Sequence, residues 1–82
     1  MANQVTILSP IPGVFYRKPA PDKPEYVTQG QEVKAGDVIG LVEVMKTFYE
    51  IKVEQDGVLE RIIAENEAVV DAGQEIAVLT LK

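Results

Sequence analysis

The run Val38-Ile39-Gly40-Leu41-Val42-Glu43-Val44-Met45-Lys46-Thr47-Phe48-Tyr49-Glu50-Ile51-Lys52-Val53 decides how the chain folds. It is rich in β-branched and aromatic residues, as strands are. If Met45 and Lys46 form a tight turn, the halves on either side pair as antiparallel strands. Val44 then faces Thr47, Val42 faces Tyr49, Gly40 faces Ile51 and Val38 faces Val53. Side chains alternate along a strand, so these residues share one side of the hairpin. The opposite side pairs Glu43 with Phe48, Leu41 with Glu50 and Ile39 with Lys52. One side is almost wholly apolar and the other is mixed. A slip of one residue would turn the apolar set to water, so the pattern fixes the register. It also puts Met45 and Lys46 at the tip. Met-Lys is a poor pair for a primed turn, which favours Asn-Gly or Asp-Gly. Positions that break a local rule are often functional.

Working outward, the rest of the chain has the same rhythm. Val5-Thr6-Ile7-Leu8 stops at Ser9-Pro10, and Val14-Phe15-Tyr16 follows the turn signal Pro12-Gly13. Lys34-Ala35-Gly36-Asp37 is a turn before the run from Val38. Gln55-Asp56-Gly57 is another, before Val58 to Ile63, and Asp71-Ala72-Gly73-Gln74 precedes Ile76 to Leu81. Many short strands with closely spaced turns predict an all-β sandwich or barrel. Residues 62 to 70 contain Ala64, Glu65 and Glu67 but show no clean helical stripe, so no helix is assigned there.

The two halves of the chain resemble each other. Val33-Lys34-Ala35-Gly36-Asp37-Val38-Ile39 aligns with Val70-Asp71-Ala72-Gly73-Gln74-Glu75-Ile76, Leu41-Val42 with Val78-Leu79, and Gly13-Val14 with Gly57-Val58. A duplicated β unit closing on itself with pseudo-two-fold symmetry is the natural reading. The spacing differs, since Gly13 to Val33 is 20 positions and Gly57 to Val70 is 13. The first half therefore carries an insertion, and Lys18-Pro19-Ala20-Pro21-Asp22-Lys23-Pro24 falls inside it. Proline lacks the donor that a ladder needs, so this stretch is a protruding loop. Insertions on rigid scaffolds often carry function.

Composition narrows the function classes. Eighty-two residues fit one domain, and the hydrophobic fraction of 46% is ordinary for a folded one. Cysteine and histidine are both absent. Disulfides, thiolate metal sites and cysteine catalysis are therefore excluded, and the commonest general base and metal ligand are missing. That makes a hydrolytic or metal-dependent enzyme a remote reading. The net charge of −5 argues against a nucleic-acid partner. No apolar run approaches the ~20 residues needed to cross a bilayer. Met1-Ala2-Asn3-Gln4 lacks the basic start and apolar stretch of a signal peptide, so the expected location is the cytoplasm. Asp37, Asp56 and Asp71 sit in turns that favour aspartate, and no carboxylate pair is spaced for acid–base work.

At the hairpin tip the chain resembles the biotinyl domain of biotin carboxyl carrier proteins. That family's attachment motif is Ala-Met-Lys-Met, usually after a glutamate. Here it reads Glu43-Val44-Met45-Lys46-Thr47, with Val44 replacing the alanine and Thr47 the second methionine. Ser9-Pro10-Ile11-Pro12-Gly13-Val14-Phe15-Tyr16 is similar to the family's Ser-Pro-Met-x-Gly-Thr-Phe-Tyr. Ala20 to Val27 resembles the thumb of the carrier in bacterial-type acetyl-CoA carboxylase. The similarity runs from about Ile7 to Leu79.

The resemblance implies a flattened β-barrel or sandwich of two antiparallel sheets, the biotinyl/lipoyl-like fold. Residues 1–82 would be one attachment domain, with the thumb at about 18–27 and the hairpin at 38–53. The chain lacks the Ala/Pro-rich leader common in full-length bacterial carriers, so it reads as a short stand-alone carrier or an excised domain. Lys46 would carry biotin in amide linkage, with Glu43, Val44, Met45 and Thr47 around it. The implied partners are a biotin protein ligase, a biotin carboxylase and a carboxyltransferase acting on an acyl-CoA, with acetyl-CoA and fatty acid synthesis expected. The carrier itself would not be an enzyme. Asp22, Lys23 and Tyr26 of the thumb are read equally as biotin contacts and as loop packing. Glu43 and Glu50 are read as solvated charges or as a docking surface for the ligase. Two rival readings stay open: a lipoyl carrier of a dehydrogenase complex, whose motif typically has Asp-Lys, and an unmodified interaction module.

Overall fold

The computed structural model describes residues 3–81. Eight strands follow in order: β1 (Gln4–Leu8), β2 (Gly13–Tyr16), β3 (Glu32–Val33), β4 (Val38–Val44), β5 (Thr47–Lys52), β6 (Gly57–Ile62), β7 (Ala68–Val70) and β8 (Glu75–Leu81). They form two four-stranded antiparallel sheets, in the orders β1-β8-β6-β3 and β5-β4-β2-β7. Among the described residues no helix forms, and none is long and apolar enough to cross a membrane. The fold is the all-β sandwich expected from the pattern.

The repeat is visible in three dimensions. Phe15 pairs with Val42 in one half, and its counterpart Leu59 pairs with Leu79 in the other. These four side chains are buried at the centre of the core, with Val33, Val70, Ile39 and Ile76 beside them. The preceding turns also match. The Lys34 N–H donates to Asp37 Oδ2 (2.9 Å), and the Asp71 N–H donates to Gln74 Oε1 (3.0 Å). β3 and β7 are equivalent strands of only two and three residues. The sequence did not reveal them as strands, because so short a run carries no period-two signal.

Two glycines set how closely neighbouring strands approach within each half. A Cβ on Gly13 would lie 2.4 Å from the Glu43 carbonyl oxygen and 2.7 Å from Val42 Cγ1. A Cβ on Gly57 would lie 2.4 Å from the Thr80 carbonyl oxygen. Backbone atoms cannot yield as a side-chain tip can, so both positions require glycine for close approach.

The hairpin register holds from Val44↔Thr47 back to Gly40↔Ile51. Beyond Gly40 it shifts, and Val38 pairs with Lys52 rather than with Val53. Val53 instead donates its N–H to Asp37 O (3.0 Å). The irregularity turns Ile39, expected on the mixed side, into the core at 2% exposure. The expected split between the faces also needs correcting. Val42, Ile51 and Val53 are buried as expected, but Tyr49 and Thr47 on the same side are exposed on β5, the edge strand of its sheet. Leu41 on the outer side is buried, facing a groove walled by the inserted loop.

Replacing Gly13 with alanine should cost about 1–3 kcal/mol from overpacking. Urea unfolding of Gly13→Ala and Gly57→Ala checks this, and the account requires similar losses from both.

Candidate functional site

The β4–β5 connection is a two-residue turn. Val44 and Thr47 close it, and both central residues are left-handed, with φ of 50° at Met45 and 68° at Lys46. This is the geometry of a type I′ hairpin, which matches the twist of the flanking strands. Such a conformation costs an L-residue usually about 1–3 kcal/mol, and it persists where the surrounding structure over-determines it. Met45 is 92% exposed and Lys46 is exposed beside it. Among the described residues Lys46 makes no hydrogen bond or ion pair. Its amine therefore projects unshared from the end of a rigid two-stranded arm. Val44 packs against the core and anchors that arm, while Thr47 faces water.

Glu43 is not a freely solvated charge. The Tyr16 hydroxyl donates to Glu43 Oε1 at 3.0 Å, joining β2 to β4 on the outer face. The Tyr16 ring also meets Phe48, with centroids 6.2 Å apart and a tilted interplanar angle of 53°. Together they fasten the base of the hairpin tip. Glu50 lies in water and pairs loosely with Lys52, at 3.6 Å. Exposed pairs of this kind contribute little.

The inserted loop turns back over the same outer face. Lys18, Pro19, Ala20 and Pro21 form one wall of a groove of about 400 Å³, with Tyr16, Leu41 and Phe48 opposite and Asn66 and Glu67 at one side. The loop is tied at its base. The Tyr26 N–H donates to Arg17 O (3.0 Å), and the Arg17 guanidinium lies 3.6 Å from Glu25. Arg17 also donates its backbone N–H to Asn66 Oδ1 (2.8 Å). Val27 is buried and Tyr26 is half-buried against the core. Asp22 and Lys23 stand in water at the loop's far end, where the Lys23 N–H donates to Ala20 O (3.1 Å). Phe48, two residues beyond Lys46 in sequence, lines the groove, whereas Met45, Lys46, Asp22 and Lys23 do not.

Sequence reasoning missed Tyr16, Arg17, Phe48 and Glu67 as contributors. Strand alternation put Phe48 opposite Glu43, which was the available signal for it. Tyr16 and Arg17 act across strands that are distant in sequence, and no local pattern marks them.

The fold and the site can be set beside known proteins. The family described as "Biotin-requiring enzyme" (Biotin_lipoyl) matches residues 5–79. The chain belongs to this family. It is 45% identical over 58 residues to the biotin carboxyl carrier protein of chloroplastic acetyl-CoA carboxylase from Glycine max, covering 71% of this chain and 22% of that protein. It is 38% identical over 74 residues to the corresponding carrier protein from Porphyra purpurea, covering 90% of this chain and 47% of the relative. The chain thus spans less than half the length of these relatives. The Kluyveromyces lactis urea carboxylase structure superposes with a TM-score of 0.77 at 27% identity, covering 94% of this chain and 6% of that one. The biotinyl/lipoyl fold implied by the resemblance is the fold observed.

Donation to the Glu43 carboxylate is the main reason the Tyr16 phenol is held above the ordinary tyrosine range, with desolvation and the charges of Glu43 and Glu67 adding to it. A raised pKa means that the folded state favours the protonated phenol. The bond is therefore intact at neutral pH and is lost only as pH rises through the raised value. Absorbance titration at alkaline pH should show a lower Tyr16 transition in Glu43→Gln than in the parent.

Proposed function

We propose that the chain is a biotin carboxyl carrier, with biotin in amide linkage to Lys46 Nζ. The observation that carries this reading is the unpaired lysine at the tip of a left-handed turn in a chain of this family. The donor set fits the group. A single exposed amine is what acylation needs, and an apolar groove begins two residues away at Phe48.

The residues divide the work. Lys46 is the nucleophile towards an activated acyl group. To attack, the amine must first give up a proton to a base. The chain has no histidine to take that proton, so the base belongs to a biotin protein ligase. Met45 presents its thioether to the ligase, and Val44 with the Tyr16–Glu43 bond keeps the arm rigid. Acylation removes the lysine's charge and leaves a long flexible tether. When bound, biotin supplies the carriage of a carboxyl group from a biotin carboxylase to a carboxyltransferase, with an acyl-CoA such as acetyl-CoA as acceptor. The carrier catalyses neither reaction. Its contribution is effective concentration, because a tethered group meets both active sites at far higher local concentration than a free one. The loop over the groove would restrain the tethered ring between visits.

Co-expression with a biotin ligase, and separately with a lipoate ligase, tests this by intact mass. The expected result is a single biotin adduct, absent from Lys46→Arg. A lipoyl adduct, or no adduct with either ligase, contradicts the proposal.

A further inference from the structure

The internal repeat supplies a control for one residue outside the hairpin. Gly30 and Glu67 hold equivalent places in the two halves. The Gly30 N–H donates to Leu59 O (2.7 Å), and the Glu67 N–H donates to Phe15 O (2.6 Å). Each closes the same kind of turn, with Gln31 N–H on Thr28 O (3.1 Å) and Ala68 N–H on Glu65 O (3.2 Å). Both backbones are left-handed, with φ of 88° at Gly30 and 68° at Glu67. Glycine adopts this conformation freely, whereas a residue with a Cβ is strained in it. One half uses the unstrained residue, and the other keeps a glutamate.

The neighbouring pair keeps its role in both halves. Gln29 Oε1 accepts the Ile62 N–H (3.1 Å), and Asn66 Oδ1 accepts the Arg17 N–H (2.8 Å). Those two amides perform one structural task in both halves. The Glu67 carboxylate performs none: among the described residues it accepts no hydrogen bond and joins no ion pair. Instead it lines the groove beneath the inserted loop, alongside Tyr16, Leu41 and Phe48. Its charge also helps keep the Tyr16 phenol protonated.

We propose that Glu67 accepts a hydrogen bond from the cyclic urea of biotin carried on Lys46. This inference rests on the carrier reading above. The groove is largely apolar, from Tyr16, Leu41, Phe48 and the loop prolines, which suits a hydrocarbon ring. Lys18 can only donate, and the Asn66 oxygen is already engaged. Biotin's urea presents two N–H donors, and an ionised carboxylate is an acceptor that strengthens such a bond. Glu67 is therefore a positioning residue. On this reading the side chain at residue 67 offsets the strain of its backbone by serving the tethered ring.

The test uses the intact chain acylated on Lys46 with ¹⁵N-labelled biotin, the adduct being verified by mass. Solvent exchange of the urea N–H groups and thermal unfolding are measured for the parent, Glu67→Gly and Glu67→Gln. The parent should protect one urea N–H about tenfold relative to free biotin, the worth of a charge-assisted bond. Glu67→Gly should lose that protection and Glu67→Gln should lose most of it, since its amide oxygen still accepts but without charge, while Glu67→Gly unfolds at the parental temperature or above it. Equal protection in parent and variants overturns the proposal. So does a marked fall in the unfolding temperature of Glu67→Gly, which would make the glutamate structural. A chain without an adduct on Lys46 overturns the carrier reading as well, whereas an adduct with no change in protection removes the Glu67 assignment alone.

Discussion

Gly13 and the Glu43 carbonyl oxygen lie so close that a single added methyl group would stand 2.4 Å from that oxygen. This contact brings β2 down onto β4, and much else depends on it. It lets Phe15 enter the core against Val42 and sets Tyr16 within reach of Glu43. The same approach recurs where Gly57 meets Thr80, so the duplicated chain closes into two sheets around one core. Because β2 and β4 are fixed so tightly and Val44 packs against the core, the turn at Met45 and Lys46 stands on a firm base. The exposed lysine is a consequence of that rigidity.

Two asymmetries are then laid on a symmetric frame. In one half β4 continues through a tight turn into β5, whereas the equivalent strand β8 pairs with β1 from the other end of the chain. The first half also carries the inserted loop, which lies over the outer face of the hairpin's sheet. Both features bear on the same surface. Three described non-glycine residues have left-handed backbones, namely Met45, Lys46 and Glu67. Two form the tip and the third lines the adjoining groove. Strain of this kind is tolerated where the surrounding frame over-determines it.

Much of this was legible in the residues themselves. Alternation along Val38 to Val53 gave the pairing from Val44 to Gly40 and put Met45-Lys46 at the turn. The repeat gave the symmetry, and its unequal spacing located the insertion. Other features depend on what lies across the sheet. The register shift near Ile39 follows from closing the barrel edge beside Asp37, and no local pattern announces it. Leu41 looked like a residue of the mixed face, yet it is buried opposite the inserted loop. Tyr16–Glu43 and Arg17–Glu25 join residues whose partners only the fold reveals. The Gly30–Glu67 equivalence lay within reach, because the repeat extends back to it once the turns are matched.

The central claim is that the folded hairpin, and not the local sequence, makes Lys46 the acceptor. Site-resolved mass spectrometry after reaction with a biotin ligase tests it most directly, comparing the native chain with one held unfolded by a destabilising substitution such as Gly13→Ala plus Gly57→Ala. The account requires biotin on Lys46 alone in the native chain, with labelling largely lost in the unfolded one. Biotin on another lysine, or equal labelling of both chains, would contradict it.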